Sequence, residues 1–336
     1  MRRLATAFAC LMLTVACSSA PESVGTAGGS ISSTVASTAP TTSSTTITTV
    51  LSTTTVLTTT TRLPSVEECL DVIPLEVKVG QLLFPVIAQS ELAAAATLAS
   101  TGRIAGVVLV GTISAGVDAQ IAGFQASSLV GPSLMAVDEE GGRVQRLTDL
   151  VGAFPSARAL AAANSPEDAG RLAQAHAEKL AELGFTMNLA PVLDLDNGSY
   201  IRDRSFGAEP GLVTEYGLSV AAGISDAGLV PVVKHFPGHG RGTDSHRGLP
   251  LLPDKSDLEA ADVVPFRAAA DAGLAIMVGH LVVPDLTGDE PASLSSAAIS
   301  GWLRNEIGFD GLVMTDAFNM EAIAATRTSD EAAEAA

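Results

Sequence analysis

Basic residues are scarce in this chain. Nineteen Lys and Arg stand against 37 Asp and Glu, a formal net charge of -18 over 336 residues. Nucleic-acid binding needs a basic face and is excluded by that balance. The acidity favours solubility and says nothing about fold. Aromatic residues make up only 4 %, which argues against an extended platform for stacking bases or long glycans. Histidine occurs five times and cysteine three times. No G-x-S-x-G element occurs, so a serine nucleophile on a strand-to-helix elbow has no support. What is abundant is small and apolar. A hydrophobic content of 47 % suits Ala-rich helices packed on Val/Ile/Leu strands, and the length suffices for one large domain with a sizeable core.

The N-terminus stands apart from that core. "MRRLATAFACLMLTVAC" opens with two arginines and continues as an uncharged apolar run from Leu4 to Ala16. The run is short for a membrane-spanning helix, which needs about 20 residues, and reads as a secretory signal peptide over residues 1–16. Its end, "LTVAC" before "SSAPES", resembles a bacterial lipobox, with Thr14 where that pattern prefers Leu. The resemblance implies that Cys17 is lipidated and leads the mature chain. The domain is then extracytoplasmic and anchored to the cell membrane without spanning it; secretion without lipid is the alternative. Cys10 leaves with the signal and Cys17 carries lipid, so no intramolecular disulfide is expected and Cys69 is read as a packed small hydrophobe. Residues 17–63 read as a tether. Within 41–61, 16 of 21 residues are Ser or Thr, too little apolar surface to offset the entropy of ordering, and the segment is open to O-glycosylation.

From residue 64 to 336 the pattern is rhythmic. Apolar runs of strand length lie at 80–87, 104–110, 133–138, 185–195, 229–236, 274–280 and 311–317. Stretches of helical spacing separate several of them. One such stretch, 165–184, has Ser165 as N-cap, Pro166 at the first helical position and Gly184 at its stop. Continuous apolar strands alternating with helices imply parallel βα units. The expectation is an α/β (β/α)8 TIM-type barrel, or failing that an open doubly wound sheet. Polar groups gather at the C-terminal ends of the strands, in "VDEEGGRVQR", "DLD", "KHFPGHG", "GH" and "TDA". That end of a barrel builds the active site, so the chain reads as an enzyme.

The chemistry-bearing residues leave several roles open. Asp316 ends an apolar strand and could cap a helix, bind a metal, act as a base or act as a nucleophile. No cluster of His, Cys and carboxylates near it has metal-ligand spacing. Asp244 and His246, two apart, would point the same way in an extended loop. Asp244 could then orient the imidazole for proton transfer in the service of a nucleophile elsewhere. Lys234, His235, Arg143, Arg146 and Arg204, with Asp138, suggest a polar pocket for a hydroxyl-rich substrate. His239 has no chemistry of its own and is expected to brace its loop.

"VDEEGGRVQR", "RDRSFG", "KHFPGHG", "DSH" and "MTDA" together resemble the bacterial β-N-acetylhexosaminidases of glycoside hydrolase family 3, over roughly residues 64–327. The resemblance implies that Asp316 is the nucleophile, His246 the general acid/base and Asp244 its orienting partner. It also implies that Asp138, Arg146, Arg204, Lys234 and His235 bind a terminal N-acetylglucosamine. A covalent glycosyl-enzyme and net retention follow from those roles, and no metal, nucleotide or organic cofactor is implied. The reaction class the resemblance implies is exo-hydrolysis of peptidoglycan fragments or chitooligosaccharides; phosphorolysis and a non-catalytic sugar-binding lipoprotein are the alternatives. The family continues past the nucleophile into an eighth strand, whereas 20 residues follow Asp316 here. A barrel lacking its eighth strand, from a truncated or frameshifted product, is the corresponding expectation.

Overall fold

The structure, a computed structural model, describes residues 65–198 and 200–336. The expected signal peptide, the Cys17 lipidation site and the tether lie outside the described residues. Two short helices open the described chain, α1 (Val66–Asp71) and α2 (Leu75–Gly80). Ser65 and Glu68 cap α1 reciprocally, which satisfies two orphan donors of its first turn. Cys69 is buried on α1.

Seven parallel strands follow: β1 (Val86–Ala88), β2 (Gly106–Val110), β3 (Leu134–Val137), β4 (Met187–Asn188), β5 (Val230–Phe236), β6 (Ala275–Val278) and β7 (Val313–Thr315). They pair in sequence order, each with the next, as a succession of βα units requires. No β7–β1 pair occurs among the described residues. Between the strands run α3 (Leu92–Ala99), α4 (Val117–Ser127), α5 (Ala157–Ala163), α6 (Pro166–Glu182), α7 (Pro210–Asp226), α8 (Lys255–Ala260) and α9 (Val264–Asp271), then a π-helical segment Ala297–Glu306 before β7. The α/β barrel-type architecture expected from the alternation is therefore present with seven strands.

The strand period of two explains both sides of the sheet. Val107 and Leu109 of β2, and Ile276 and Val278 of β6, join the large core beneath the helices. Their alternates Val108, Ala275 and Met277 join a second cluster with Ala136, Met187 and Val232. Side chains from β2 to β6 meet in that inner cluster, so the sheet curls around its own interior. Helix α6 starts as its sequence dictates. The Ser165 hydroxyl accepts the Asp168 amide at 3.1 Å, and Pro166 takes a position whose N–H would be unsatisfied anyway.

Two strand expectations are corrected. Of 80–87 only 86–87 is strand, because α2 runs to Gly80 and the chain turns before reaching its partner at Val108. Leu82 is left 80 % exposed; apolarity there did not mean a ladder. Of 185–195 only Met187–Asn188 is strand. Pro191 lacks the N–H that would continue the ladder, and pairing resumes only at the Val192–Lys234 bridge. Peptide bonds Ala190–Pro191, Lys234–His235 and Phe236–Pro237 are cis.

Candidate active site

Because all seven strands are parallel, their C-terminal ends form one rim. Asp138 follows β3, Asp194 follows the β4 segment, Lys234 and His235 lie in β5, His280 follows β6 and Asp316 follows β7. The sequence placed these groups in separate loops; the sheet brings them together.

The "VDEEGGRVQR" loop is organised by Glu139, a fully buried carboxylate. One oxygen accepts Gln145 Nε2 at 2.9 Å and lies 3.3 Å from His176 Nε2. The other accepts the backbone N–H groups of Arg146 at 2.6 Å and Leu147 at 3.2 Å. Asn188 of β4 pins the same residue by exchanging hydrogen bonds with its backbone. Gly141 has φ 103° and faces the Pro155 carbonyl so closely that a Cβ would collide with it, which explains the glycine. The loop so held presents Asp138, Glu140 and Arg146.

Glu140 pairs with two buried cations and shares one of them with Asp138. Arg204 grips Glu140 in a fork, Nε at 2.8 Å and Nη2 at 2.7 Å. Lys234 Nζ lies 2.7 Å from Glu140 and 2.5 Å from Asp138. Burial pushes the Glu140 carboxyl up, but Lys234 and Arg204 outweigh it and hold it far below its ordinary value. Burial, with Glu140 beside it, raises Asp138 despite the pull of Lys234. Burial alone would depress Lys234 and Arg204; the two carboxylates reverse that and raise both. Arg146 Nη2 stands 3.8 Å from Asp138, and its buried Nε has no hydrogen-bond partner among the described residues. Asp138 and Arg146 keep polar atoms for a ligand, and Arg204, gripped by Glu140 through Nε and Nη2, keeps its Nη1 donors. Glu140 is a carboxylate that was not among the candidate site residues. Arg143 lies farther out, bonded to the Tyr200 and Ile201 carbonyls and paired with Asp203.

Asp316 caps no helix. Its Oδ1 accepts the Ala317 amide at 2.8 Å, and the next helical turn, Glu321–Ala324, is preceded by Met320. Burial pushes its carboxyl up, but His235, His280, the Ala317 amide and Lys234 hold it below its ordinary value. It is therefore an ionised carboxylate on a half-buried rim. His280 supports it from β6. The His280 Nε2–H donates to the Ala317 carbonyl at 3.0 Å, so its Nδ1 accepts from the Ser293 hydroxyl at 2.7 Å. Burial depresses His280, and Asp316 pulls it back up; His235 and His246 add to the depression. Asp316, His235 and His246 therefore all lie within electrostatic reach of His280.

The "KHFPGHG" and "DSH" motifs form one strand end and one loop. His239 Nε2–H donates to the Thr243 carbonyl at 2.7 Å, bracing the loop as the sequence suggested. Gly240 packs so tightly on Leu195 that a Cβ would strike its carbonyl. His246 Nδ1 lies 3.1 Å from Asp244, whose same oxygen accepts the His246 amide at 3.0 Å. The expected pairing is present, but the extended loop expected to make it is not. The Arg247 amide bonds the Asp244 carbonyl at 3.0 Å, so a turn, not an extended chain, aligns the two side chains. The Ser245 carbonyl between them accepts the Ala322 amide at 3.2 Å, tying this loop to the segment after Asp316. His246 is 60 % exposed, and its ring lies 6.2 Å from that of Tyr200. Tyr200, overlooked in the sequence, also approaches His239 and the Arg143 and Arg204 guanidiniums. Among the described residues no group of three His, Cys, Asp or Glu side chains is placed to hold a metal ion.

Asp262 is fully buried beneath Gly238, with one oxygen 2.9 Å from Arg241 Nε. Burial, with Asp194 nearby, pushes its carboxyl up to about 6 against the pull of Arg241. The folded chain then holds this proton more tightly than the unfolded chain, whose Asp titrates near about 3.9. The resulting stability is full below the unfolded value and is lost as pH rises through about 6. His239 and His280, depressed mainly by burial, act in the opposite sense, so a difference measurement isolates Asp262. The Tm of the wild type minus that of Asp262→Asn is expected to fall as pH rises from about 4 to about 7; a difference independent of pH would refute the assignment.

A family described as "Glycosyl hydrolase family 3 N terminal domain" matches residues 74–336. The chain is 47 % identical over 196 residues to Beta-hexosaminidase LpqI of Mycobacterium tuberculosis, covering 55 % of this chain and 50 % of that protein. It spans about half the length of the curated relatives it matches. Among solved structures, a Mycobacterium smegmatis glycosyl hydrolase of the same family superposes with TM-score 0.72 at 36 % identity, over 79 % of this chain and 83 % of that one. A family 3 β-N-acetylglucosaminidase from a Paenibacillus species gives TM-score 0.72 at 35 % identity, over 78 % and 53 %.

Proposed function

Because the chain belongs to glycosyl hydrolase family 3 through its N-terminal domain, we propose that it is an exo-acting, retaining β-N-acetylglucosaminidase. The observation that carries this reading is Asp316, an ionised carboxylate at the end of β7 with a histidine–carboxylate pair hydrogen-bonded to the segment that follows it. Asp316 attacks the anomeric carbon as His246 delivers a proton to the departing oxygen. A covalent glycosyl-enzyme results. His246, held by Asp244, then takes a proton from water, which attacks the same carbon and releases the sugar. Two displacements return the original configuration. A histidine suits the acid/base role because its ordinary pKa lies near neutrality, and its exposure leaves room for the aglycone. Asp138, Arg146, Arg204, Lys234 and His235 hold the hydroxyls and acetamido group of the terminal sugar. Glu140 keeps that frame rigid.

The substrates that fit are peptidoglycan fragments and chitin oligomers ending in β-linked N-acetylglucosamine. The N-terminal "LTVAC" supports lipid anchoring at Cys17, with the domain outside the cytoplasm. Among the described residues no helix is long and apolar enough to cross a membrane. An aryl N-acetyl-β-glucosaminide assay tests the reading directly. His246→Ala is expected to lose about 10²–10⁴-fold in kcat with that substrate. The loss should shrink when the aryl leaving group is a good one, since protonation then matters less. Assay in phosphate buffer separates free sugar from sugar 1-phosphate, and a phosphate-dependent product would replace hydrolysis by phosphorolysis. Binding of N-acetylglucosamine with no turnover would leave the non-catalytic alternative standing.

A further inference from the structure

Asp194 follows the β4 segment and has no part in the steps above. Its side chain is fully buried, yet it accepts three hydrogen bonds from one motif. Oδ1 takes the backbone N–H of His235 at 3.1 Å and that of His239 at 2.7 Å. Oδ2 lies 2.7 Å from His235 Nδ1. A carboxylate only accepts, so the proton in that bond sits on Nδ1. The other ring nitrogen, Nε2, is then the atom that His235, at the C-terminal end of β5, leaves for a ligand. The three hydrogen bonds also lock the end of β5 to the loop that leads to His246.

We propose that Asp194 is a positioning residue that fixes the His235 tautomer as Nδ1–H, so that Nε2 is left as the acceptor His235 offers to substrate. This rests on the proposed glycosidase reading for its kinetic consequence, but not for its structural one. A buried carboxylate behind a histidine commonly sets which nitrogen carries the proton and where the ring points. Burial alone would raise Asp194; His235 and the His239 side chain and amide overcome that and hold it below its ordinary value. It is thus ionised wherever the enzyme would work. In Asp194→Asn the amide oxygen can still accept the two backbone N–H groups. The amide nitrogen, a donor, then faces Nδ1, which must become an acceptor. The proton moves to Nε2, and the face offered to a sugar hydroxyl changes from acceptor to donor.

Long-range ¹H–¹⁵N spectra of the unliganded protein, at a pH where His235 is neutral and with His235→Asn for assignment, read the tautomer directly. The expected result is Nδ1–H in the wild type and Nε2–H in Asp194→Asn. With the aryl glycoside, Asp194→Asn is expected to lose at least about tenfold in kcat/KM. In a His235→Asn background the same change should cost little more, because both act through one ring. A wild-type ring carrying its proton on Nε2 overturns the proposal, and that measurement stands even where the variant does not fold. An Asp194→Asn protein that keeps Nδ1–H overturns it too, leaving Asp194 only a loop brace. If the wild type cleaves no glycoside while the tautomers are as expected, the glycosidase reading fails and the positioning role survives.

Discussion

Asp316→Asn is expected to lower kcat toward an aryl N-acetyl-β-glucosaminide by on the order of 10⁴-fold or more, the scale on which loss of a covalent nucleophile is felt. The amide keeps the size of the side chain and can still accept the Ala317 amide. What it loses is the charge that His235, His280 and Lys234 surround, and with it the ability to bond the anomeric carbon. Because the group lies half-buried on the rim, the Tm should move by only a few degrees, which separates lost chemistry from lost fold. In Asp316→Ala, azide should restore turnover and give the glycosyl azide of inverted configuration, since the small anion enters from the vacated face. Residual activity within tenfold of wild type would place the nucleophile elsewhere.

The second large effect concerns stability. Glu140→Ala strands Lys234 and Arg204, two buried cations, and leaves Lys234 with Asp138 alone. Removing one member of a buried ion network leaves uncompensated charge and costs about 3–5 kcal/mol. For a domain of this size that is a fall in Tm on the order of 10 °C. The paired control is Arg204→Met with Glu140→Leu, which removes the fork as a unit; it should cost less than Glu140→Ala alone, because less unpaired charge remains. Thermal unfolding of the three proteins decides this. A Glu140→Ala protein as stable as wild type would mean that water or a counter-ion reaches the cluster freely.

Two mistaken sequence expectations have a common cause. The stretch "GQLLFPVI" is apolar enough for a strand, yet its first residue ends α2 and Leu82 faces solvent, because pairing to β2 begins only at Val86. The Asp244–His246 pair was read from an extended spacing of two, yet a turn closed at Arg247 makes it. Apolarity and spacing describe one segment at a time; strand pairing and loop closure depend on a partner far along the chain. The same limit hid Glu140, Asp194, Glu139 and Tyr200. Each has an ordinary residue type, and each matters through a neighbour 40 or more positions away or through a loop folded back on itself.

The parallel βα succession was legible in the chain, since runs of continuous apolar residues alternating with capped helical stretches have few other solutions. So was the gathering of charge at strand ends, because a charge after a buried strand is costly unless it is paired. How those charges share partners came from the fold alone. Arg204 and Lys234 read alike as donors of a polar pocket, but the first grips one carboxylate in a fork and the second bridges two. His235, His239 and His246 lie within 12 residues of one another, but a buried aspartate, a backbone carbonyl and a turn carboxylate hold them separately. Electrostatic role follows from distance and burial, and both are set by strand pairing between segments that the sequence keeps apart.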